Sequence, residues 1–243
     1  MNQEYSKRAW LGLDSFDVYD RIFPSRYLTL AQDMAGEHAD LLGCGYSDLR
    51  PRNLMWIIVR TRLDILAEPE DKCEVILTTK VKRPAGLMFD REVKIERASD
   101  GLLLARGVSA WCVANLETRR LVRPSEISYP DTFEGPYLFD EHLRAIPDFE
   151  AAGQPALVRR VNFTDLDHNR HMNNCRYADA LLDAISPRAD ERLASLEINF
   201  ERECLEGDSL SIYLDRPNEK GEGRARAVRG DGVLSFKARF TIA

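Results

Sequence analysis

The hydrophobic positions of the chain change their period in the same way in each half. From residue 27 to residue 42, apolar side chains recur every three or four positions and Gly43 follows, which predicts an amphipathic helix. The next segments are rich in Val, Ile, Leu and Trp, which predicts strands at residues 55–65, 74–82, 89–97 and 102–114. A mixed extended and turn segment, residues 16–26, precedes the helix.

One of these predicted strands has two different faces. Apolar and charged side chains alternate in residues 89–96, and one face is wholly charged. Antiparallel sheets commonly pack one face on the core and leave the other in solvent. We therefore expect the charged face to meet water.

The same order of elements returns after residue 155. A strand is predicted at residues 156–163, and a helix that ends at Ser186-Pro187 is predicted at residues 173–185. Further strands are predicted near residues 195–204, 209–214, 223–228 and 233–242. Between the halves, residues 131–155 are rich in Pro, Gly and acidic residues, which predicts a linker with one short helical turn near residues 141–145.

This repeated order predicts an α+β fold in which each half is one long helix wrapped by an antiparallel sheet. Such a unit is a hotdog, and two copies in one chain make a tandem double hotdog. We expect a first hotdog at residues 1–130, a linker at residues 131–155 and a second hotdog at residues 156–243. The two units are expected to lie side by side, as the protomers of a hotdog dimer do.

Charge and cysteine content narrow the class of protein. The 243 residues carry a formal net charge of −6, which disfavours non-specific binding to nucleic acid. We see no signal or transit peptide and no apolar run long enough to span a bilayer, so we expect a cytoplasmic monomer or homodimer with no membrane partner. Five widely spread cysteines form no C-x-x-C pair, which indicates a reducing compartment rather than a disulfide framework: Cys44, Cys73, Cys112, Cys175 and Cys204.

A dense polar segment stands just before the second predicted helix. Residues 162–177 hold two carboxylates, two imidazoles and several carboxamides, which make a poor core and a candidate active site. Asp165 and Asp167 are also suited to an Asx turn or helix cap. His168 and His171 with these acids offer metal ligands, although their spacing is not a standard one.

Two other histidines have simpler interpretations. His38 falls near the apolar face of the first helix, where a structural histidine with satisfied hydrogen bonds is expected. His142 falls in the linker, where we expect it to be solvated.

Several motifs resemble one known family. Residues 165–174 resemble the D-L-D-x-N-x-H-x-N-N motif of the acyl-acyl carrier protein thioesterases, and residues 200–204 are similar to that family's Y-x-R-E-C strand, with Phe200 in place of tyrosine. Residues 111–113, 117–120 and 123–124 resemble its W-x-V, TRR and RP stretches, and residues 56–65 resemble its first long strand. The likeness runs from about Phe16 to Ile242.

The resemblance implies a tandem double hotdog and a thioester hydrolase. Members of this family hydrolyse fatty acyl-acyl carrier protein, release the free fatty acid and so end fatty acid synthesis. Acyl carrier protein is then the partner, and neither a cofactor nor a metal is implied. Plant members carry an N-terminal targeting extension that we do not see here, so a bacterial-type form is expected.

The family motif also implies a catalytic set. Asn169 and His171 are expected to donate hydrogen bonds to the thioester carbonyl, and Asp167 to orient the cluster. Glu203 is the favoured base for an attacking water. Cys204 beside it is an alternative nucleophile, although its acidic neighbour disfavours the thiolate, and it is equally suited to be a small apolar residue at a strand end.

The first half lacks this set. Its predicted helix entrance has no Asn and His pair, and aligning the turns before Asp71 and Asp208 places Leu66 and Ala67 opposite Glu203 and Cys204. The first half is then free to bind the acyl chain. Its candidate lining residues, which core packing explains equally well, are Met55, Trp56, Ile57, Met88, Phe89 and Trp111.

An acidic carrier calls for a basic landing surface. Five arginines lie near the motifs in sequence, and each is also explained as an ordinary surface charge: Arg159, Arg160, Arg170, Arg176 and Arg202.

Two kinds of rival function remain. An enzyme of the same fold acting on acyl-coenzyme A, as a hydrolase, hydratase or dehydratase, uses related chemistry. A non-catalytic hotdog that binds acyl thioesters is a different class. The complete polar set favours hydrolysis of the carrier-bound thioester, since a binding protein has little use for Glu203.

Overall fold

The computed structural model describes residues 2–150, 153–215 and 217–243. The first half contains strands β1 (Glu4–Leu11), β2 (Leu54–Ile65), β3 (Cys73–Val81), β4 (Phe89–Arg97) and β5 (Leu103–Asn115), with helices α1 (Pro24–Leu41) and α2 (Tyr46–Leu49). The second half contains β6 (Leu157–Arg160), α3 (Asn174–Ile185), β7 (Leu193–Phe200), β8 (Ser209–Asp215), β9 (Glu222–Arg229) and β10 (Leu234–Ile242).

The strands form one antiparallel sheet in the order β1-β3-β4-β5-β2-β7-β10-β9-β8-β6. Each half contributes five neighbouring strands in the same internal order, read from the outer edge to the middle. One long helix packs on the sheet in each half, which is the tandem double hotdog expected from the sequence.

The halves meet where β2 pairs with β7. Their register runs from Arg60 opposite Asn199 to Asp64 opposite Ser195. On the helix side of this seam α1 contacts α3, and the Cys175 thiol lies 3.1 Å from Gln32 Oε1. One hydrophobic core therefore continues across both halves.

The first strand lies earlier than the sequence indicated. β1 is an edge strand that pairs with β3, and every second side chain along it is exposed. Because only half of its residues reach the core, its apolar signal is weak. Residues 16–23 instead form turns, and α1 begins at Pro24, a residue favoured in the first turn of a helix.

The linker differs from its prediction. The expected helical turn at residues 141–145 is absent, and this stretch has no regular secondary structure. It crosses the face of the first-half sheet opposite α1. Glu92 accepts hydrogen bonds there from the backbone N–H groups of Leu138 (2.8 Å) and Phe139 (2.9 Å).

The charged face of β4 is consequently not in water. Asp90 and Glu92 are each 1% exposed, so the expectation of a wholly solvated face is wrong for this part of the strand. The buried Lys82 ammonium lies 3.4 Å from the Glu92 carboxylate. His142 is half-exposed, and its Nδ1 lies 2.5 Å from Asp90 Oδ2, so it is bonded to the sheet rather than merely solvated. Backbone donors from the linker, the Lys82 ammonium and the His142 ring compensate the buried carboxylates.

His38 is a structural histidine, as expected. Its side chain is 1% exposed, its Nδ1 lies 2.8 Å from Arg91 Nη1, and its Nε2 lies 3.0 Å from Asn2 O. Burial, together with the neighbouring Arg91 guanidinium, lowers the pKa of His38 to about 4.

We expect His38 to make stability depend on pH. Because its folded pKa lies below the ordinary value of about 6.5, its contribution is complete above that pH and is lost as pH falls towards 4. The free energy of unfolding should decrease over this range, and His38→Gln should flatten the slope. An unchanged slope in the variant would contradict this assignment.

A second prediction concerns the linker. Glu92→Ala should lower the free energy of unfolding by about 3–5 kcal/mol, because it leaves the Lys82 ammonium buried and unpaired. Glu96 is the matched control, since it lies on the same strand in a partly exposed pair with Lys94 at 2.9 Å. Glu96→Ala should cost less than about 1 kcal/mol. Urea unfolding measures both, and equal losses would contradict the role given to Glu92.

Candidate functional site

The polar segment forms a structured entrance to α3. Asp165 is buried, and its carboxylate accepts a hydrogen bond from Asn162 N (2.9 Å) and an ion pair from Arg159 (2.6 Å). Asn173 caps α3 by accepting a hydrogen bond from Cys175 N at 2.9 Å. Asp165 therefore closes the short 3-10 turn before the helix, and the cap of α3 itself is Asn173. The predicted Asx turn is formed by Asp167, which accepts from Asn169 N.

Residues 166–173, here called the motif loop, are closed by Asp167. Its Oδ1 accepts hydrogen bonds from Asn169 N (2.8 Å) and His171 N (3.4 Å), and its own N–H donates to His171 O (2.8 Å). Arg170 takes a left-handed conformation with φ of 65°. These contacts fold Asn169 and His171, both half-buried, into one tight turn.

A backbone contact brings the second motif to this loop. Met172 N donates to Cys204 O at 2.8 Å, so the neighbours of His171 and Glu203 are directly joined. β7 ends at Phe200, and Glu203 lies in the loop that follows rather than in the strand. Its side chain is exposed, and Arg229 fixes its backbone carbonyl at 2.8 Å.

Cys204 faces the opposite way. It is fully buried, its N–H donates to the Tyr177 hydroxyl at 3.1 Å, and its thiol lies 3.1 Å from Ser235 Oγ. Burial raises the pKa of the Cys204 thiol. A protonated thiol in the core is a weak nucleophile.

The first half repeats the motif loop without its chemistry. Asp17 Oδ1 accepts hydrogen bonds from Tyr19 N (2.8 Å) and Arg21 N (3.0 Å), as Asp167 does in the second half. Asp20 has the left-handed φ of 58° that matches Arg170. Tyr19 and Arg21 therefore stand where the second half has Asn and His.

The strand ends give a different alignment from the sequence. Leu66 N and Ala67 N both donate to Leu104 O at 2.8 and 3.1 Å. Glu201 N and Arg202 N donate to Ser235 O at the same two distances. Leu66 and Ala67 thus match these two residues and not the pair after them, so the turn-based alignment is wrong by two positions.

With this register, the first-half counterpart of Glu203 is Glu68, and that of Cys204 is Pro69. Glu68 Oε2 accepts a hydrogen bond from Ile22 N at 3.1 Å, and burial raises the pKa of its carboxyl group. The first half therefore also has a glutamate at this position, but its carboxylate is bound to a backbone N–H group of the same half.

A narrow cavity lies where the two halves meet, and residues of both halves line it. It has a volume of about 30 Å³, enough for one or two water molecules, and lies between α1, the start of α3 and the seam of the sheet. Asn174 and Phe200 line its second-half end, and Val93, Ser109 and Trp111 line its first-half end. An acyl chain needs these side chains to move apart.

The acyl-binding set predicted from the sequence lies only partly here. Trp111 lines the cavity. Trp56 and Phe89 pack edge to face at 4.9 Å in a separate cluster, while Ile57 is 37% exposed. The sequence analysis did not single out the residues of α1, β2 and β5 that complete the cavity wall, namely Leu28, Ala31, Gln32, Thr61, Leu63 and Gly107.

The predicted carrier-binding arginines divide into two groups. Arg159 is paired with Asp165, and Arg176 is paired with Asp179 at 3.1 Å. The other three are exposed and have no ion pair with any carboxylate that the structure describes: Arg160, Arg170 and Arg202.

One contact across the halves had no signal in the sequence. The exposed ring of Tyr46, on α2 of the first half, packs edge to face on His168 with centroids 5.5 Å apart. The motif loop of one half therefore rests on a helix of the other.

Neither a metal cluster nor an apolar helix of membrane-spanning length occurs within residues 2–150, 153–215 and 217–243. No group of three or more His, Cys, Asp or Glu side chains is placed there to hold a metal ion. No helix in this part of the chain is long and apolar enough to cross a membrane.

Comparisons with known proteins agree with this arrangement. Two family descriptions match the sequence: the acyl-ACP thioesterase N-terminal domain over residues 3–128 and the acyl-ACP thioesterase C-terminal domain over residues 154–239. The palmitoyl-acyl carrier protein thioesterase of Cuphea hookeriana is 26% identical over 65% of this chain and 40% of its own length. The oleoyl-acyl carrier protein thioesterase 1 of Arabidopsis thaliana is 24% identical over 83% of this chain and 60% of its own length. The chain thus spans about half the length of these curated relatives.

Solved structures share the fold. An acyl-ACP thioesterase from Bacteroides thetaiotaomicron superposes with a TM-score of 0.86 at 20% identity, over 99% of this chain and 98% of that one. The 12:0-ACP thioesterase from Umbellularia californica superposes with a TM-score of 0.81 at 18% identity, over 100% of this chain and 98% of that one. The tandem double hotdog is confirmed.

The burial of the cysteines predicts their reactivity. An alkylating reagent at neutral pH should label Cys73 first, because it alone of the five is not fully buried. Cys204 should be labelled only as fast as the protein unfolds, while all five react in denaturant. Mass spectrometry of time points measures this order. Rapid labelling of Cys204 in the native protein would reveal an accessible thiolate and contradict its placement.

Proposed function

The chain belongs to the acyl-ACP thioesterase family, and we propose that it hydrolyses the thioester of fatty acyl-acyl carrier protein, releasing a free fatty acid and ending fatty acid synthesis. The observation that carries this proposal is the hydrogen bond from Met172 N to Cys204 O at 2.8 Å. It joins the motif loop, which carries Asn169 and His171, to the backbone of the residue that follows Glu203.

Asn169 and His171 supply the donors for the reaction. During attack, the carbonyl oxygen of the thioester gains negative charge, and preorganised donors stabilise it. The positive end of α3, which starts directly after the motif loop, favours the same charge. Asp167 holds both residues through their backbone N–H groups, so its role is positioning.

Glu203 supplies the base. Its exposed carboxylate has access to water and takes a proton as the water oxygen attacks the carbonyl carbon. When the tetrahedral intermediate collapses, the carbon–sulfur bond breaks and the departing thiolate receives that proton. The products are a fatty acid and the free thiol of the carrier's arm.

The buried state of Cys204 supports attack by water over attack by sulfur. A covalent acyl-enzyme requires the thiol to leave its contacts with Tyr177 and Ser235 and to lose its proton. The cavity supports a substrate-binding role for the first half, which lacks the Asn and His pair. The expected cytoplasmic location stays a prediction.

The test is steady-state hydrolysis of a ladder of acyl-carrier thioesters. Glu203→Gln should lower kcat by about 10² to 10⁴, and His171→Ala or Asn169→Ala by about 10² to 10³. Cys204→Ala should keep kcat within a few-fold. Glu68→Gln is the matched control, since it makes the same change at the equivalent place in the first half and should leave kcat nearly unchanged.

Three outcomes would contradict the proposal or a part of it. An inactive but folded Cys204→Ala variant, with a trapped acyl-enzyme in the wild type, would replace water attack by a cysteine nucleophile. A wild type that binds the thioesters without hydrolysing them would be a binding protein. Faster hydrolysis of coenzyme A thioesters than of carrier thioesters would make acyl-coenzyme A the substrate class.

A further inference from the structure

Five exposed arginines of the first half form a group that we call the arginine strip: Arg50, Arg52, Arg119, Arg120 and Arg123. The two chain segments that carry them are tied together. Asn53 Nδ2 donates to Glu117 Oε1 at 2.8 Å, Leu116 N donates to Asn53 O at 2.8 Å, and Arg52 donates to Glu126 O at 2.8 Å. The strip is therefore one surface although its members are far apart in sequence.

The strip has an excess of positive charge. None of its members forms an ion pair with a carboxylate within the described residues. The same segments carry only three acids, and each accepts a hydrogen bond from an uncharged donor: Asp48 from Gly45 N (3.0 Å), Glu126 from Arg123 N (3.2 Å) and Glu117 from Asn53. In a chain of net charge −6, this is a locally positive surface.

The strip begins beside the active site. Arg50 donates a hydrogen bond to the Tyr46 hydroxyl, and its guanidinium carbon lies 5.4 Å from the centre of that ring. The same Tyr46 ring also contacts His168 of the motif loop, with 5.5 Å between the ring centres. Arg170, also exposed and without an ion pair to a described carboxylate, follows two residues later on the motif loop.

We infer that the arginine strip, together with Arg170, is the surface on which an acidic carrier domain docks while its acyl arm reaches the motif loop. This inference rests on the proposed function. The body of the carrier must stay outside while the thioester lies at Asn169 and His171, so its landing surface has to flank the motif loop. Complementary charge there raises the association rate and selects the carrier over substrates without a protein body.

The proposed surface shares only Arg170 with the set of arginines expected from the sequence. Arg159 and Arg176 lie close to the motifs along the chain, but Asp165 and Asp179 already neutralise them. The strip belongs to the other half of the molecule and reaches the site only through the fold.

The test compares two substrates and two charge-reversal variants. The strip variant is Arg52→Glu with Arg120→Glu, which leaves the Arg50 and Tyr46 contact intact. The control is Arg144→Glu with Arg188→Glu, which changes net charge equally at exposed side chains of the linker and of the loop after α3. Each is assayed with an acyl-carrier thioester and with the matching acyl-coenzyme A thioester.

The strip variant should lose at least about tenfold in kcat/KM for the carrier thioester, mainly through KM, and less than about twofold for the coenzyme A thioester. The loss should shrink at high salt, because screening weakens exposed charge pairs. The control should stay within about twofold for both substrates. Equal losses in strip and control variants, or equal losses for both substrates, would overturn the docking surface.

Direct binding keeps this test separate from the proposed function. The probe is a carrier whose chain is attached by a non-hydrolysable amide, and its Kd is measured at low and high salt. A larger Kd in the strip variant, with an unchanged Kd in the control variant, supports the docking surface even if the wild type hydrolyses nothing. An unchanged Kd in that variant rejects it, whatever the hydrolysis assay shows.

Discussion

The pairing of β2 with β7 is the constraint on which the rest of the molecule depends. Its register, from Arg60 opposite Asn199 to Asp64 opposite Ser195, joins two five-stranded sheets and removes one free edge from each. Once that register is set, α1 and α3 lie against each other and the cavity spans the seam. The Tyr46 contact with the motif loop follows from the same geometry, so the site is built from both halves although its polar residues come from one.

Comparison of the two copies of the loop distinguishes the residue that maintains its backbone from the residues that this backbone positions. Asp17 and Asp167 make the same backbone contacts, so the aspartate maintains the turn in both halves. The residues that differ are the ones that it positions. Glu68 and Glu203 differ in the same sense, since the first is bound to a backbone N–H and the second is exposed to water. One scaffold thus carries two different sets of polar side chains with few changes.

Much of the fold was predictable because it depends on local periodicity, and the motifs were predictable because the polar residues are contiguous. The parts that were missed depend on distant contacts. β1 is an edge strand with a weak apolar signal. The burial of Glu92 depends on backbone N–H donors, which every residue except proline has, so the sequence does not identify them. Identifying Glu68 as the first-half counterpart of Glu203 required the backbone hydrogen bonds at the two strand ends. The contact of Tyr46 with His168 exists only because the two halves are paired.

The path of the linker decides where homologous halves can be exchanged by recombination. Its early part is bonded to the first half, as far as the contact of Arg60 with Leu143 O. A contact with the second half occurs at Asp148, whose carboxylate lies 3.5 Å from Arg226. A crossover between Leu143 and Asp148 keeps both sets of contacts within their parent. A crossover placed earlier takes Glu92 from one parent and the backbone groups that bind it from the other. The buried Glu92 carboxylate of the hybrid then depends on donors from a linker of different sequence.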